Sequence, residues 1–177
     1  EHDGNDQLVR IVDHHGNATA IEYDRVGRRV RMTDPDVGER RFTYFADGNV
    51  ASESVGAFET ILWDYDKLGR VTGRSGLSQR WPSAWATWRW DTAANGIGSL
   101  ARSAEDNLHT HQVREYDALG RATRETHVVA AGNRDVQLEF ENAWDALGQP
   151  QTRRHPTGTV VTWQRDARGF LTAVDAG

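Results

Sequence analysis

One phrase returns seven times along this chain of 177 residues: an aromatic residue, an aspartate, two or three linking residues, a glycine and often an arginine. The first residues of successive copies, which we call the anchors, are separated by 21 to 28 positions. A recurring period in this range is typical of a repeat array. Four copies are complete and begin at Tyr23, Tyr65, Tyr116 and Trp144, and three degenerate copies begin at Tyr44, Trp90 and Arg165.

The residues on either side of each phrase alternate between apolar and polar side chains. Ile21-Glu22-Tyr23, for example, places two large apolar groups on one face of an extended strand and a carboxylate on the other. Within the phrase, the aspartate can accept hydrogen bonds from backbone N–H groups that follow it, and the glycine can adopt a positive φ. Each phrase therefore predicts the turn of a β-hairpin with a longer or bulged loop.

The repeat assigns a structural role to each position of the phrase. We expect the aromatic anchors to lie on one face as cross-strand neighbours ~5 Å apart, the aspartates and glycines to close the turns, and the arginines to stack against a neighbouring aspartate or tyrosine. The residues predicted to form and anchor the turns are Tyr23, Asp24, Gly27, Arg28, Tyr44, Tyr65, Asp66, Gly69, Arg70, Trp90, Asp91, Tyr116, Asp117, Gly120, Arg121, Trp144, Asp145 and Gly148.

A second set of turn sequences lies between the phrases. His14-His15-Gly16-Asn17, residues 34–38 and His155-Pro156-Thr157-Gly158 belong to this set. Two strands and two turns per repeat predict an all-β fold, in which antiparallel hairpins form one curved, spiralling sheet. We expect residues 1–177 to be a single array of about seven repeats that is truncated within a repeat at both ends.

Composition excludes several classes of function. The chain contains no cysteine, which excludes disulfides, thiol catalysis and cysteine-based zinc sites. Its net charge of −5 does not favour a nucleic-acid partner, and no apolar run approaches the ~18 residues of a membrane-spanning helix. We predict neither a nucleic-acid partner nor a membrane span.

Residues that could carry chemistry have simpler structural explanations. His14-His15 and the pair His109 and His111 lack the further ligands that a metal site needs, so solvated turn residues are the default interpretation. The repeated aspartates occur once per hairpin, in the same local role, whereas catalytic carboxylates occur as a pair in a pocket. Because the sequence also lacks a nucleophile elbow and a phosphate-binding loop, we predict no catalytic residue, metal or cofactor, and a protein that is not an enzyme.

Tryptophans are concentrated between residues 81 and 90. Trp88 and Trp90 fall in the register of the repeat, which favours packing. Trp81 and Trp85 lie in an insertion around Pro82, which we interpret as an elongated hairpin. These two are candidates for contact with a ligand, because exposed tryptophans can stack on sugars or anchor a partner, and local packing is the alternative.

The phrases Tyr23-Asp24-Arg25-Val26-Gly27-Arg28 and Tyr65-Asp66-Lys67-Leu68-Gly69-Arg70 resemble the YD repeats of the Rhs family. That family includes bacterial Rhs polymorphic toxins, the B and C components of insecticidal toxin complexes, and teneurins. The resemblance covers essentially the whole chain, and it implies a β-sheet that spirals into a hollow shell. It thus implies a structural segment of a secreted shell that encapsulates or scaffolds a toxin or effector cargo.

The same resemblance leaves a second function open, namely a cell-surface or carbohydrate-binding adhesion module of a teneurin-like or wall-associated protein. For the shell, the implied partners are the remaining repeats of the parent chain and an enclosed polypeptide. For the adhesion module, the partner is a glycan or a surface protein. In both cases the resemblance implies a bacterial protein that is secreted or held at the cell surface.

Overall fold

The computed structural model of the chain describes residues 1–57, 59–78, 85–105, 109–132 and 134–177. In these residues all regular secondary structure is β-strand, with turns between the strands and no helix. The predicted all-β fold is therefore confirmed. The described chain divides into two compact units, Glu1–Trp85 and Ala86–Gly177, and their membership of a single array stays a prediction.

In the first unit, seven strands follow one another and each pairs antiparallel with the next. Alternation of side chains explains these strands, since residues with large apolar or β-branched groups recur at every second position. The strands are β1 (Arg10–Val12), β2 (Ala18–Tyr23), β3 (Arg29–Asp34), β4 (Gly38–Tyr44), β5 (Val50–Val55), β6 (Glu59–Tyr65) and β7 (Val71–Ser78).

The second unit repeats this arrangement with eight strands, again paired antiparallel in chain order. Its phrases follow every second strand. Because antiparallel strands alternate in direction, the turns that the phrases form all lie at the same edge of the sheet, which we call the YD edge. The strands are β8 (Trp85–Trp90), β9 (Leu100–Glu105), β10 (Thr110–Tyr116), β11 (Ala122–Ala131), β12 (Arg134–Trp144), β13 (Pro150–Arg154), β14 (Val160–Arg165) and β15 (Leu171–Ala176).

A β-bulge accompanies every YD turn. In the first hairpin, Glu22 pairs with Arg31 but Tyr23 pairs with Arg29, so that Val30 is an extra residue on the second strand. The same shift in register immediately precedes each of the other six anchors. Because a bulge increases the local right-handed twist, the repeat adds twist at the same edge of the sheet in each hairpin.

Very few side chains are buried, because each unit is a sheet without a second layer packed on it. Among the described residues, the buried side chains are those of Phe42, Ala86 and Ala101, and the backbone of Gly96 is also buried. Most apolar strand residues, including the anchors, are half-buried by their neighbours within the sheet. Backbone pairing and contacts between adjacent strands must therefore supply the stability that a globular domain obtains from its core.

The register places the anchors of each unit on one face, but their predicted spacing is wrong. Tyr23 lies on β2 and Tyr44 on β4, and β3 pairs with both of these strands. Anchors of successive hairpins are therefore two strands apart, about 9–10 Å, and not cross-strand neighbours. Each repeat contributes two strands, so only every second strand carries an anchor.

The turn glycines adopt the left-handed conformation. Gly27, Gly69, Gly120 and Gly148 have φ values of +85°, +76°, +76° and +79°. This region is open to glycine and costly for a residue with a Cβ atom, which explains why the phrase carries glycine at this position.

We predict that Gly69→Ala lowers the free energy of unfolding by about 1–2 kcal/mol. A Cβ atom at Gly69 would lie 3.5 Å from Nδ2 of Asn49, an ordinary contact, so the loss reflects backbone strain and not a clash. Urea unfolding followed by circular dichroism measures it. Gly4→Ala, with open space around the added Cβ, is the matched control and should change stability little. Equal effects of the two substitutions would contradict the strain argument.

Candidate functional site

The YD turns are closed by the same hydrogen bonds at several positions along the sheet. In the first, the N–H of Asp24 donates to the carbonyl of Arg28 (2.8 Å) and the N–H of Gly27 donates to the carbonyl of Asp24 (3.1 Å). Oδ1 of Asp24 accepts from the N–H groups of Val26 (3.0 Å) and Arg28 (2.9 Å). The aspartates of the turns at Asp66, Asp117, Asp145 and Asp166 accept the corresponding backbone hydrogen bonds.

The same backbone turn occurs where the phrase is incomplete or absent. Phe45 occupies the aspartate position of the second copy, and its N–H still donates to the carbonyl of Asn49 (2.8 Å). The turns that begin at Asp13 and His155 have this backbone pattern too, although they belong to the second set of turn sequences. In the turns that begin at Phe45, Asp13 and His155, the fourth residue is always glycine. Glycine and the strand register therefore specify this turn more strongly than the aspartate does.

The turn arginine connects one repeat to the next. Nε of Arg28 donates to Oδ2 of Asp24 (2.8 Å), and its Cζ lies 4.6 Å from the ring centroid of the next anchor, Tyr44. In the second unit, Nε of Arg121 donates to Oδ2 of Asp117 (2.7 Å), and its Cζ lies 5.8 Å from the ring of Trp144. The arginine is thus positioned by the carboxylate of its own turn and placed over the aromatic ring of the following one.

Each of several anchors returns a hydrogen bond to the preceding strand. The donor is the polar end of the anchor side chain, and the acceptor is the carbonyl of the first residue of that strand. The pairs are Tyr44 with Arg29 (2.6 Å), Tyr116 with Leu100 (2.7 Å), Trp144 with Ala122 (2.9 Å) and Arg165 with Pro150 (2.6 Å). Tyr23 donates in a similar way to the carbonyl of Leu8 (3.0 Å). We call the closed turn, the arginine and this hydrogen bond together the turn clamp.

Arg165 shows what the anchor position requires. The seventh phrase has no aromatic residue there, yet the arginine makes the same kind of hydrogen bond as the tyrosines and Trp144. A long side chain with a donor at its end is therefore sufficient for this contact. The position of Arg165 in the phrase is the feature of the sequence that identifies it as an anchor.

The longest copy, residues 90–100, forms the turn differently. Oδ1 of Asp91 accepts from the N–H of Gly98 (2.6 Å), and the N–H of Asp91 donates to the carbonyl of Ser99 (3.0 Å). A Cβ atom at Gly96 would lie 3.0 Å from Cδ2 of Tyr116. The expanded loop thus packs directly on the next anchor, and glycine at position 96 permits this approach.

Three of the turn carboxylates have a lowered pKa, which favours their ionised form. The N–H of Arg28 lowers the pKa of Asp24, assisted by the side chain of Arg28. The guanidinium of Arg121 lowers the pKa of Asp117, assisted by backbone N–H groups. For Asp66, partial burial opposes the shift, but hydrogen bonds from Arg70 outweigh it and the pKa is lowered. Burial, together with the charge of Asp47, raises the pKa of the Tyr65 phenol.

Of the two tryptophans proposed for ligand contact, Trp85 lies within the described part of the chain. Trp85 begins β8 with 52% of its surface exposed, whereas Trp81 lies outside the described residues. The rings of His14 and His15 have centroids 3.6 Å apart at an exposed turn. No group of three or more histidine, cysteine, aspartate or glutamate side chains in the described ranges could hold a metal ion. No helix in these ranges is long and apolar enough to cross a membrane.

The family model described as RHS Repeat matches residues 2–36, in the first unit, and residues 144–177, in the second. The predicted resemblance to the Rhs/YD-repeat family is confirmed. No curated protein matches the chain. The matched segments contain the first and the last two phrases, so the RHS repeats correspond to hairpins that carry the closed turn and the anchor hydrogen bond.

Solved structures of Tc toxin complexes share the fold of these RHS repeats. The crystal structure of TcdB2-TccC3-Cdc42 matches 95% of this chain with a TM-score of 0.76 and 12% identity. A TccC3 mutant of the Photorhabdus luminescens Tc holotoxin pore matches 95% with a TM-score of 0.75 and 12% identity. The chain spans 10% of each of these two chains. At this identity the likeness establishes the fold.

We predict that Tyr116→Phe lowers the free energy of unfolding by about 1 kcal/mol, since it leaves the Leu100 carbonyl without its hydrogen bond. Tyr65→Phe is the matched control, because the Tyr65 hydroxyl makes no hydrogen bond to the residues that the structure describes. Chemical denaturation of the two variants gives the comparison. If Tyr65→Phe destabilises the chain as much as Tyr116→Phe, the anchor hydrogen bond is not what stabilises the clamp.

The lowered pKa values predict acid sensitivity. A carboxyl whose pKa is lower in the folded state stabilises that state fully above its unfolded pKa of about 3.9, and this stabilisation is lost as the pH falls through the folded pKa. In the triple variant Asp24→Asn, Asp66→Asn and Asp117→Asn, the free energy of unfolding should depend less steeply on pH between about pH 5 and 2. The slope should be shallower but not zero, because the pKa values of Asp13, Asp34 and Glu39 are also lowered.

Denaturant titrations at several pH values measure this slope. Asp36→Asn is the control, since it also removes one negative charge but the Asp36 carboxylate accepts no hydrogen bond within the described ranges. An unaltered slope in the triple variant would show that the clamp carboxylates do not contribute to acid unfolding.

Proposed function

We propose that this chain is a wall segment of an Rhs/YD-repeat shell that encapsulates or scaffolds a toxin or effector polypeptide. The observation that supports this most directly is the sheet without a second layer, in which only three described side chains are buried and successive repeats are joined by turn clamps. Such a sheet is a surface with two accessible faces. The fold shared with chains of Tc toxin complexes supports the same role.

The proposed role is exclusion, and it requires no chemistry from the wall. In an antiparallel sheet the backbone N–H and C=O groups of adjacent strands pair with each other. An unbroken sheet of this kind would keep a cargo chain away from solvent and proteases. The protein would then act as a scaffold and not as an enzyme.

The face opposite the anchors suits a wall that does not adhere to its contents. In the second unit, Arg124 lies 2.8 Å from a carboxylate oxygen of Glu139, 3.2 Å from Glu141 and 3.9 Å from Glu115. In the first unit, Arg31 forms ion pairs with Glu22 and Glu39. Charges that are paired within the sheet keep the face hydrated while reducing its attraction for charged segments of a cargo.

The partners that follow from this proposal are further repeats of the parent chain and the enclosed polypeptide. A shell of this kind functions outside the cell that makes it, so we propose a secreted or surface-held bacterial protein. Seven hairpins are too few to close a cavity for a protein cargo, and the segment should therefore have no encapsulating activity alone.

Deletion of two whole repeats from the parent protein tests the proposal. Removing residues 23–64 joins Glu22 to Tyr65 and restores an intact phrase at the junction. The shortened wall should leave the cargo open to added protease, while the activity of the cargo after release is unchanged. Protease digestion followed by mass spectrometry measures protection, and the undeleted parent is the control. If the cargo of the deleted protein stays protected, the wall function is wrong.

The exposure of Trp85 supports a second candidate, recognition of a glycan by the insertion. Calorimetric titration of the 177-residue chain with bacterial cell-wall and host glycans distinguishes the two functions. Binding that is lost in Trp85→Ala would favour the adhesion module, and the absence of binding would favour the wall.

A further inference from the structure

The hairpin of β11 and β12 extends beyond the strand that follows it. The pairing of β12 with β13 begins at Trp144 and ends at Glu141, whereas its pairing with β11 continues to Arg134. Residues 134–140 therefore pair with one described strand only, on the side of β11. We call these residues the free stretch. Positions 134–138 are exposed, and positions 139 and 140 are half-buried.

The equivalent hairpin of the first unit, β3 and β4, has no such extension. The pairing of β4 with β5 continues to Arg40, and the N–H of Gly56 then donates to the carbonyl of Glu39 (2.8 Å). After β13, in contrast, the turn closes on itself, with the N–H of His155 donating to the carbonyl of Thr159 (2.8 Å). No backbone hydrogen bond connects residues 155–159 to the free stretch within the described ranges. The unpaired backbone is therefore not a general property of the repeat.

The two faces of the free stretch differ in chemistry. Its residues in order are Arg134, Asp135, Val136, Gln137, Leu138, Glu139 and Phe140. Alternation places three apolar side chains on the face of the anchors and two carboxylates with an amide on the opposite face. A strand added beside the free stretch would therefore meet apolar groups on one face and negative charge on the other.

The contacts of β13 show which side chains suit the acidic face. Glu141 pairs with Arg154, whose Nε lies 3.4 Å from Oε2 of Glu141. Glu139 is the next residue of β12 on this face and contacts Nε of Arg124 on β11 (2.8 Å), but no described strand lies on its other side. Asp135 forms no ion pair with the residues that the structure describes. The free stretch thus continues the acidic side of a pattern for which β13 supplies the basic partner.

We propose that the free stretch binds an extended segment of another protein as an added antiparallel strand. Every second residue of the free stretch directs its N–H and C=O groups away from β11, and the added strand pairs with these groups. The segment carries arginine or lysine at alternate positions, beside Asp135 and Glu139. The residues between them are apolar and cover Val136 and Leu138, both of which are exposed.

Charge argues against a second copy of this chain as the occupant. In a twofold pairing of two free stretches centred on Gln137, Asp135 of each copy would lie opposite Glu139 of the other. Like charges directly opposite each other destabilise a sheet, and charged side chains on an edge strand oppose pairing of identical edges. The inference concerns the side of one strand and not the enclosure of a cargo, so it can fail while the proposed function stands, and the reverse.

Binding of fluorescently labelled peptides to the 177-residue chain tests the proposal. The probe is a peptide of about nine residues that alternates arginine and valine. One control peptide carries glutamate in place of arginine, and another has the composition of the probe but places its arginines and valines in separate blocks. Fluorescence anisotropy should show that the alternating peptide binds at least ten times more tightly than either control, because only alternation presents both faces correctly.

Variants of the chain locate the site. Asp135→Lys should weaken binding of the alternating peptide at least threefold, whereas Asp36→Lys, the same change of charge on an exposed turn of the first unit, is the matched control. Both positions are exposed, so both variants should fold, which circular dichroism verifies.

Hydrogen–deuterium exchange measures the backbone pairing directly, since bound peptide should slow exchange within residues 134–140. Three results would each overturn the proposal: failure of the alternating peptide to bind more tightly than the controls, equal effects of the two substitutions, or unchanged exchange in the free stretch.

Discussion

The hydrogen bond from an anchor to the first carbonyl of the preceding strand is the contact on which this sheet depends. Tyr116 and Trp144 make it with different side chains, and Arg165 makes it without an aromatic ring. In a sheet without a core, a strand that paired one residue out of register would lose little burial. An anchor that reaches one specific carbonyl opposes such a slip, because the hydrogen bond forms in only one register.

The bulge and the turn explain why the anchor can reach that carbonyl. The extra residue in each YD hairpin shifts its second strand, so Tyr116 pairs with Ala122 while Glu115 pairs with Arg124. Ala122, the first residue of that shifted strand, then supplies the carbonyl that the next anchor, Trp144, reaches. The left-handed glycine and the aspartate close a turn of constant geometry before this shift. Turns of the same geometry therefore place their anchors in equivalent positions, and this equivalence allows a short sequence phrase to be repeated along a sheet.

Sequence reasoning identified the elements that local chemistry specifies. The positions of the hairpins, the all-β fold and the glycines with positive φ all follow from the spacing of Asp66 and Gly69 and from the alternation around them. It misjudged the distance between anchors, because that distance depends on counting both strands of each repeat. It also could not show that Phe45 replaces an aspartate without loss of the turn, because backbone hydrogen bonds can form with any residue type at that position except proline.

The contacts between repeats were the least accessible to sequence. The position of Arg28 over Tyr44 joins residues 16 positions apart, and it depends on a bulge and a twist that no residue pattern specifies in advance. The aliphatic residue before the turn glycine is, by contrast, visible in the sequence, as at Leu119 and Leu147. The structure adds that both side chains are exposed, so they do not pack within the turn. A position that recurs in sequence without a role inside its own repeat is best explained by contact with something outside it.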